Sequence, residues 1–320
     1  MAAQNDRMVI LGSGGARIVV AKQLRASGGI WFSLGGTRFL LDPGPGALVR
    51  MTGSRHHLDP TKLAGILLSH RHLDHSGDVN NMIEAMTMGG TEPRGRLFAP
   101  SDALEGDDPV VLKYVRRFLD EVVTLKEGGS YELGGVRFSC PVRHQHRGEV
   151  YGFRFQTGQV STDYADSTDG SERRAAGLTL SYIADTRYFP ELAEHYRADV
   201  VIMNVVRLLP SDLDHLHVSD AEELVKAIRP RLAVLSHFGM KMLAARPWVV
   251  AREMSERTGY QVVAATDGML IDLEQYKAEN PKSQITRTDG ESRFWGQSPS
   301  GHWGQSPSEN LGDSPRGGAE

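Results

Sequence analysis

Residues 69–75 read Ser69-His70-Arg71-His72-Leu73-Asp74-His75 and follow the apolar run 64–68 without a break. Such a run reads as a buried strand. Four side chains able to bind metal, His70, His72, Asp74 and His75, therefore stand together where a strand ends. Imidazole nitrogen and carboxylate oxygen suit zinc, manganese or iron, and an ion so held polarises an oxygen or activates a water. Alternate residues of an extended segment face the same side, so His70 and His72 can share one ion. Asp74 and His75 are adjacent, aim differently and can serve a second. A lone histidine is usually a surface or core residue, but three within six positions around an aspartate call for a chemical reason. A structural zinc finger is a poor fit, because Cys140 is the only cysteine and no Cys-x-x-Cys exists.

The chain of 320 residues is long enough for one large domain or two small ones, and 40% apolar content supports a real core. A net charge of −4 gives no basic signature of nucleic-acid binding. A single cysteine forbids an intrachain disulfide and favours a reducing compartment. The first seven residues lack the basic-then-apolar layout of a signal peptide, and no apolar run approaches the roughly 20 residues needed to span a bilayer. The expectation is a cytoplasmic protein with no membrane partner.

Strands are expected at 8–12, 30–34, 37–41, 64–69, 97–100, 122–125, 136–143, 151–157, 178–184, 199–206, 232–236, 261–265 and 269–273. Helices are expected at 78–88, 109–120, 220–228 and 247–258. Ser219 reads as the N-cap of the third, with Glu222 completing a capping box. Gly12, Gly14 and Gly15 make a loop after the first strand, not a dinucleotide fingerprint, since Arg17 holds the third glycine position. This alternation, with metal ligands recurring at strand ends, predicts helices covering packed sheets. After residue 277 the character changes. Trp295-Gly296-Gln297-Ser298-Pro299-Ser300 recurs from Trp303, and the eight-residue period is too short for a folded repeat. The expected division is a folded domain over 1–276 and a disordered Gly/Ser/Pro-rich tail over 277–320.

The cluster and its sequels resemble the metallo-β-lactamase-fold hydrolases. Asp42-Pro43-Gly44 resembles the family's first motif, whose aspartate braces the ligand loop. Residues 141–146, containing His144 and His146, resemble the third motif. Residues 182–186, with Asp185, resemble the fourth, and residues 235–239, with His237, the fifth. The match runs over residues 8–273. It implies an α/β fold: a four-layer αββα sandwich of mixed sheets with helices on the outer faces. It also implies two divalent ions, zinc first, with manganese or iron as alternatives. His70, His72 and either His144 or His146 would hold one. Asp74, His75 and His237 would hold the other, and Asp185 would bridge.

Residues 215–221 resemble the phosphodiesterase branch, which includes the tRNA 3′-processing endonuclease and a cyclic-phosphate phosphodiesterase. In that likeness His217 corresponds to a proton donor for the leaving group, and Asp74 orients or deprotonates the attacking water. The implied reaction is attack of a metal-bound hydroxide on a small or cyclic phosphodiester. Two departures count against tRNA processing. Met203 and Asn204 stand where that endonuclease has His and Glu, and only about forty residues separate the third and fourth motifs. The polar loop 158–177 holds Asp163, Asp166, Asp169 and Glu172 against Arg173 and Arg174, a poor clamp for RNA phosphates. A small-molecule substrate is the expected partner. Hydrolysis of an ester, thioester or lactone is the alternative on the same fold, with an RNA endonuclease or a non-catalytic binding protein behind it. A homodimer is the default assembly.

Overall fold

The strands at 30–34, 65–67, 200–204 and 232–236 are short, almost wholly apolar and buried throughout, a pattern that demands cover on both faces. The computed structural model describes residues 5–27, 29–158 and 177–277, all within one compact unit, Met1–Gln284. The tail assigned to 277–320 lies outside the described residues except for Lys277, and so does most of the loop 158–177. Among the described residues fourteen strands form: β1 Arg7–Ile10, β2 Ile30–Leu34, β3 Thr37–Leu41, β4 Gly65–Leu67, β5 Arg96–Ala99, β6 Glu121–Thr124, β7 Gly129–Leu133, β8 Val136–Cys140, β9 Phe153–Gln156, β10 Thr179–Ile183, β11 Val200–Asn204, β12 Leu232–Ser236, β13 Val262–Ala264 and β14 Met269–Asp272.

They make two seven-stranded sheets, ordered β14-β1-β2-β3-β4-β5-β6 and β13-β12-β11-β10-β9-β8-β7. Both are mixed. In the first, β3 to β6 run parallel and the pairs from β14 to β3 are antiparallel. In the second, β10 to β13 run parallel and β7 to β10 are antiparallel.

Strand alternation sorts the apolar side chains into three layers. Met8, Ile10, Phe32, Phe39 and Leu67 meet Phe138, Phe153, Phe155, Ile202 and Val234 between the sheets. Phe32 and Phe39 stack with centroids 5.0 Å apart, and Phe155 closes the group at 5.3 Å from Phe39. Val9, Leu11, Trp31 and Leu40 face the opposite way, against the helix Val79–Met86 and its neighbours. Ile183, Val201, Met203 and Leu235 pack against the helices Val218–Ile228 and Pro247–Thr258. The order of layers is αββα, as expected.

Several bounds differ from the sequence reading for visible reasons. The strand expected over 136–143 stops at Cys140, because Pro141 has no N–H to continue the ladder. The helix expected over 109–120 shrinks to one turn, Lys113–Arg116. Residues 110–112 stay outside it, the Val110 and Val111 N–H groups on the Ala103 carbonyl and an extended Leu112 on Asn80 Oδ1, and after Arg116 the Phe118 and Leu119 N–H groups reach back only three residues, to Val115 and Arg116. The helix expected from 220 begins at Val218, with His217 as its cap instead of Ser219.

Candidate metal centre

Both sheets turn the carboxyl ends of their parallel strands toward one edge, the usual place for a ligand in such sheets. The loop after β4 carries His70 to His75 through a short helical turn, Leu73–Ser76. Asp42, just after β3, holds this loop from beneath. Its carboxylate accepts from the Ser69 N–H and Oγ, both at 2.7 Å, from His75 Nδ1 at 2.9 Å, and from the Tyr182 hydroxyl at 2.8 Å. This is the bracing geometry expected of the first motif. Burial and the Asp42 charge hold the Tyr182 phenol well above its usual range, so it stays a donor.

These partners fix which ring nitrogen faces inward. Ser69 Oγ donates to Asp42, so it accepts from His70 Nδ1 at 3.0 Å and leaves His70 Nε2 with its lone pair. His75 donates its Nδ1–H to Asp42 and is likewise left with a free Nε2. His146 donates Nδ1–H to the Asp214 carbonyl at 2.8 Å. The nitrogens then converge: His72 Nδ1 lies 3.0 Å from His70 Nε2 and 3.2 Å from His146 Nε2. His70, His72 and His146 form one group whose ligand atoms lie within 4.8 Å of one another. Asp74, His75 and His237 form a second. Asp185 belongs to two more, one with His70 and His75, the other with His146 and His215.

His144 takes no part in these groups. It is buried with Nε2 against the Tyr196 hydroxyl at 2.8 Å, and burial pushes its imidazole down to about 3. Of the two histidines offered at the third motif, His146 lies in the cluster and His144 packs behind it. His217 is also elsewhere. Its ring caps the helix Val218–Ile228, with Nδ1 accepting from Ser219 Oγ at 2.8 Å and facing the Asp220 N–H at 3.4 Å. His215 occupies the place expected of His217, with Nδ1 3.5 Å from Asp185 Oδ2. Sequence reasoning missed it because the doublet of residues 215–217 offers two histidines, and the true cap decides which one turns inward. It also missed Asn204, whose amide donates to Asp185 Oδ1 at 2.9 Å. A polar residue ending the apolar run 199–206 was the available signal.

Backbone shape contributes too. His237 sits at φ 60°, a left-handed conformation that turns its ring back over the glycine loop. The Phe238 N–H donates to the Ser13 carbonyl at 2.9 Å, and a Cβ on Gly15 would overlap the His237 ring. The glycine loop is therefore a floor for this ligand. The ring lies 3.4 Å from Asp74 Oδ2 through Nε2 and 3.6 Å from Asp185 Oδ1 through Nδ1.

The donor set fits divalent metal. Buried His75 Nε2, His215 Nδ1 and both His237 nitrogens have no hydrogen-bond partner. Leaving a buried polar atom unmatched costs about 1–3 kcal/mol, so four in one spot call for a cation. Charge follows the same logic. Burial, with His75 next, pushes His70 well below its ordinary value, and burial with His146 lowers His72, so both offer lone pairs. Burial works against ionised Asp74 and Asp185, but the His237 and His75 rings outweigh it and hold both carboxyls well down. Burial likewise opposes charge on His75, yet Asp42 and Asp185 raise it well above the usual range. That affinity for a proton at Nε2 reports a negative pocket, which draws a metal cation equally. His215 falls to about 4, chiefly through burial and against the pull of Asp185.

Known proteins carry the same architecture. The profile of the beta-lactamase superfamily domain matches residues 37–238. An uncharacterized protein of Methanocaldococcus jannaschii is 31% identical over 273 residues, covering 83% of this chain and 94% of its own. Among solved structures, the metallo-beta-lactamase fold protein YhfI from Bacillus subtilis superposes with a TM-score of 0.63 at 19% identity, covering 84% of this chain and 99% of its own. A diphosphatase of the PhnP family gives 0.57 at 18% identity, covering 84% and 97%. Among the described residues no helix is long and apolar enough to cross a membrane. With its profile match, its two packed sheets and its buried set of histidines and aspartates, the chain belongs to the beta-lactamase superfamily and has the metallo-beta-lactamase fold.

Proposed function

We propose that this protein hydrolyses a small or cyclic phosphodiester with the help of two divalent ions, zinc first among them. The observation that carries the reading is Asp185, a buried carboxylate shared between ligand groups on either side. His70, His72 and His146 would hold one ion, Asp74, His75 and His237 the other, and Asp185 both. Bound there, the ions supply Lewis acidity toward phosphoryl oxygens and lower the pKa of water. Hydrolysis adds water across a P–O bond, so one proton leaves the attacking water and one reaches the departing oxygen. Asp74, ionised and 3.4 Å from His237 Nε2, orients the water and can take up its proton. His215, held beside Asp185, is the chain's hydrogen-bond donor to the departing oxygen, a role that capping denies to His217.

Charge favours phosphate over a neutral ester or lactone. Arg71 and Arg147 each adjoin a cluster histidine in sequence, and among the described residues neither makes an ion pair. The likeness to a PhnP-family diphosphatase points the same way. Elemental analysis paired with turnover of bis-p-nitrophenyl phosphate, a cyclic phosphate, a thioester and a lactone tests the reading. The expected result is about two ions per chain and chelator-sensitive cleavage of the phosphodiesters. Cleavage of the lactone or thioester alone would move the function to carbonyl substrates. A chain that takes up no ion would end the metal reading.

A further inference from the structure

The cluster histidines are anchored unequally. His70 and His75 hang on Asp42, through Ser69 in the first case, inside the sheet edge. His146 hangs on one main-chain carbonyl, that of Asp214, in the segment between Arg207 and His217. A bridge between Arg207 and His217 closes the base of this segment, and its outer part exposes Leu209 and Leu213. It has the form of a compact surface loop whose ends are close. One side chain holds the outer part down. Arg187 donates to Asp214 Oδ1 from Nη2 at 2.7 Å and from Nε at 3.0 Å, and reaches the Asp212 carbonyl at 3.4 Å. Its own N–H donates to the Gln145 carbonyl at 2.9 Å, and the Gln145 N–H donates to Thr186 Oγ1 at 3.1 Å. Arg187 thus fastens together the three segments that carry His146, Asp185 and His215.

We infer that Arg187 is a positioning residue: its clasp on Asp214 keeps the 207–217 loop docked, so that His146 presents Nε2 and His215 stays against Asp185. This rests on the metal reading above. The clasp is on the surface, with 57% of the Arg187 side chain and 35% of the Asp214 side chain exposed. An exposed ion pair adds little to global stability and is screened by salt. Losing it should free the loop without unfolding the domain. Outer partners of metal-bound histidines typically set 10–100-fold of metal affinity.

The test compares the parent with Arg187→Gln, Arg187→Lys and the charge swap R187D/D214R, loaded with zinc. Zinc affinity is read by chelator competition and loop docking by amide hydrogen exchange over 207–217. Arg187→Gln should bind one zinc about tenfold more weakly and exchange faster in the loop, with an unchanged melting temperature in the metal-free protein. The lysine variant and the swap should recover part of both. Raising salt to about 1 M, where the screening length is about 3 Å, should weaken the parent's zinc and leave Arg187→Gln where it is. Unchanged zinc affinity or unchanged exchange in Arg187→Gln would overturn the positioning role. Failure of the parent itself to take up zinc would overturn it along with the metal reading, and that result is distinct because it arises before any substitution.

Discussion

The two sheets serve the metal centre in different ways. The first delivers four potential ligands from one uninterrupted loop, His70 to His75, seated on the single carboxylate of Asp42. The second delivers His146, Asp185, His215 and His237 from four separate segments after β8, β10, β11 and β12. A loop on one brace stands or falls as a unit. A dispersed set depends on strand register and on local partners such as Asn204 and Asp214, so its members can be lost one at a time.

The severest test of that contrast is Asp42→Ala. It strands the Ser69 donors, His75 Nδ1 and the Tyr182 hydroxyl, all buried. The expected loss is about 3–5 kcal/mol in urea unfolding, the scale of a broken buried ion pair, together with loss of all bound zinc. A variant that keeps half its zinc would break the idea of one brace. On the dispersed side, His146→Ala should weaken one zinc by more than about 100-fold, beyond what outer partners typically set, while the Asp74, His75 and His237 group still binds.

For His144, two positions before His146, Tyr196→Phe should do the reverse. It leaves buried His144 Nε2 without its hydroxyl and should cost about 1–3 kcal/mol with zinc content unchanged. Zinc loss on the scale of His146→Ala would erase the distinction between the two histidines. The smallest effect lies on the outer face of the helix Val218–Ile228. Hydrogen bonding from Lys226, then Arg257, holds Glu222 below its ordinary value of 4.5 against the burial that opposes ionisation. A depressed carboxyl stabilises above the unfolded pKa and loses that contribution as pH falls through the folded one. Glu222→Gln should therefore cost less than about 1 kcal/mol at pH 7, and the gap to the parent should close in acid melts.

The same contrast governs what could be read beforehand. The loop His70–His75 was legible because its ligands are neighbours in sequence, whereas Asp42, Asp185 and His237 came only through the resemblance to the metallo-β-lactamase-fold hydrolases. The choice between His144 and His146 turns on where the chain reverses: Arg143 still bridges Tyr151 and the His144 N–H donates to the Val150 carbonyl, so His146 falls in the turn beyond the ladder, where alternation no longer applies. His215 and His217 lie on one side of an extended reading, and only the cap at His217 separates them. Strand β7 escaped because residues 129–133 alternate weakly, and their partner β8 supplies the register. The helix over 109–120 is shortened at both ends: Leu112 is held extended, its N–H on Asn80 Oδ1 32 residues away, and after Arg116 the Phe118 and Leu119 N–H groups reach back only three residues. Hydrogen-bond partners and neighbouring strands decide these, and periodicity alone does not contain them.

The first sheet is completed by the last of the described strands. β14 lies beside β1, pairing Arg7 with Asp272 and Ile10 with Met269. During synthesis the amino-terminal strands can pair among themselves, yet β1 keeps an open edge until residues 269–272 leave the ribosome. Non-local closure of this kind slows folding and prolongs the exposure of unpaired strand edges. Ribosome-bound chains ending before Met269 should thus stay protease-sensitive, with Met8 and Ile10 left incompletely covered.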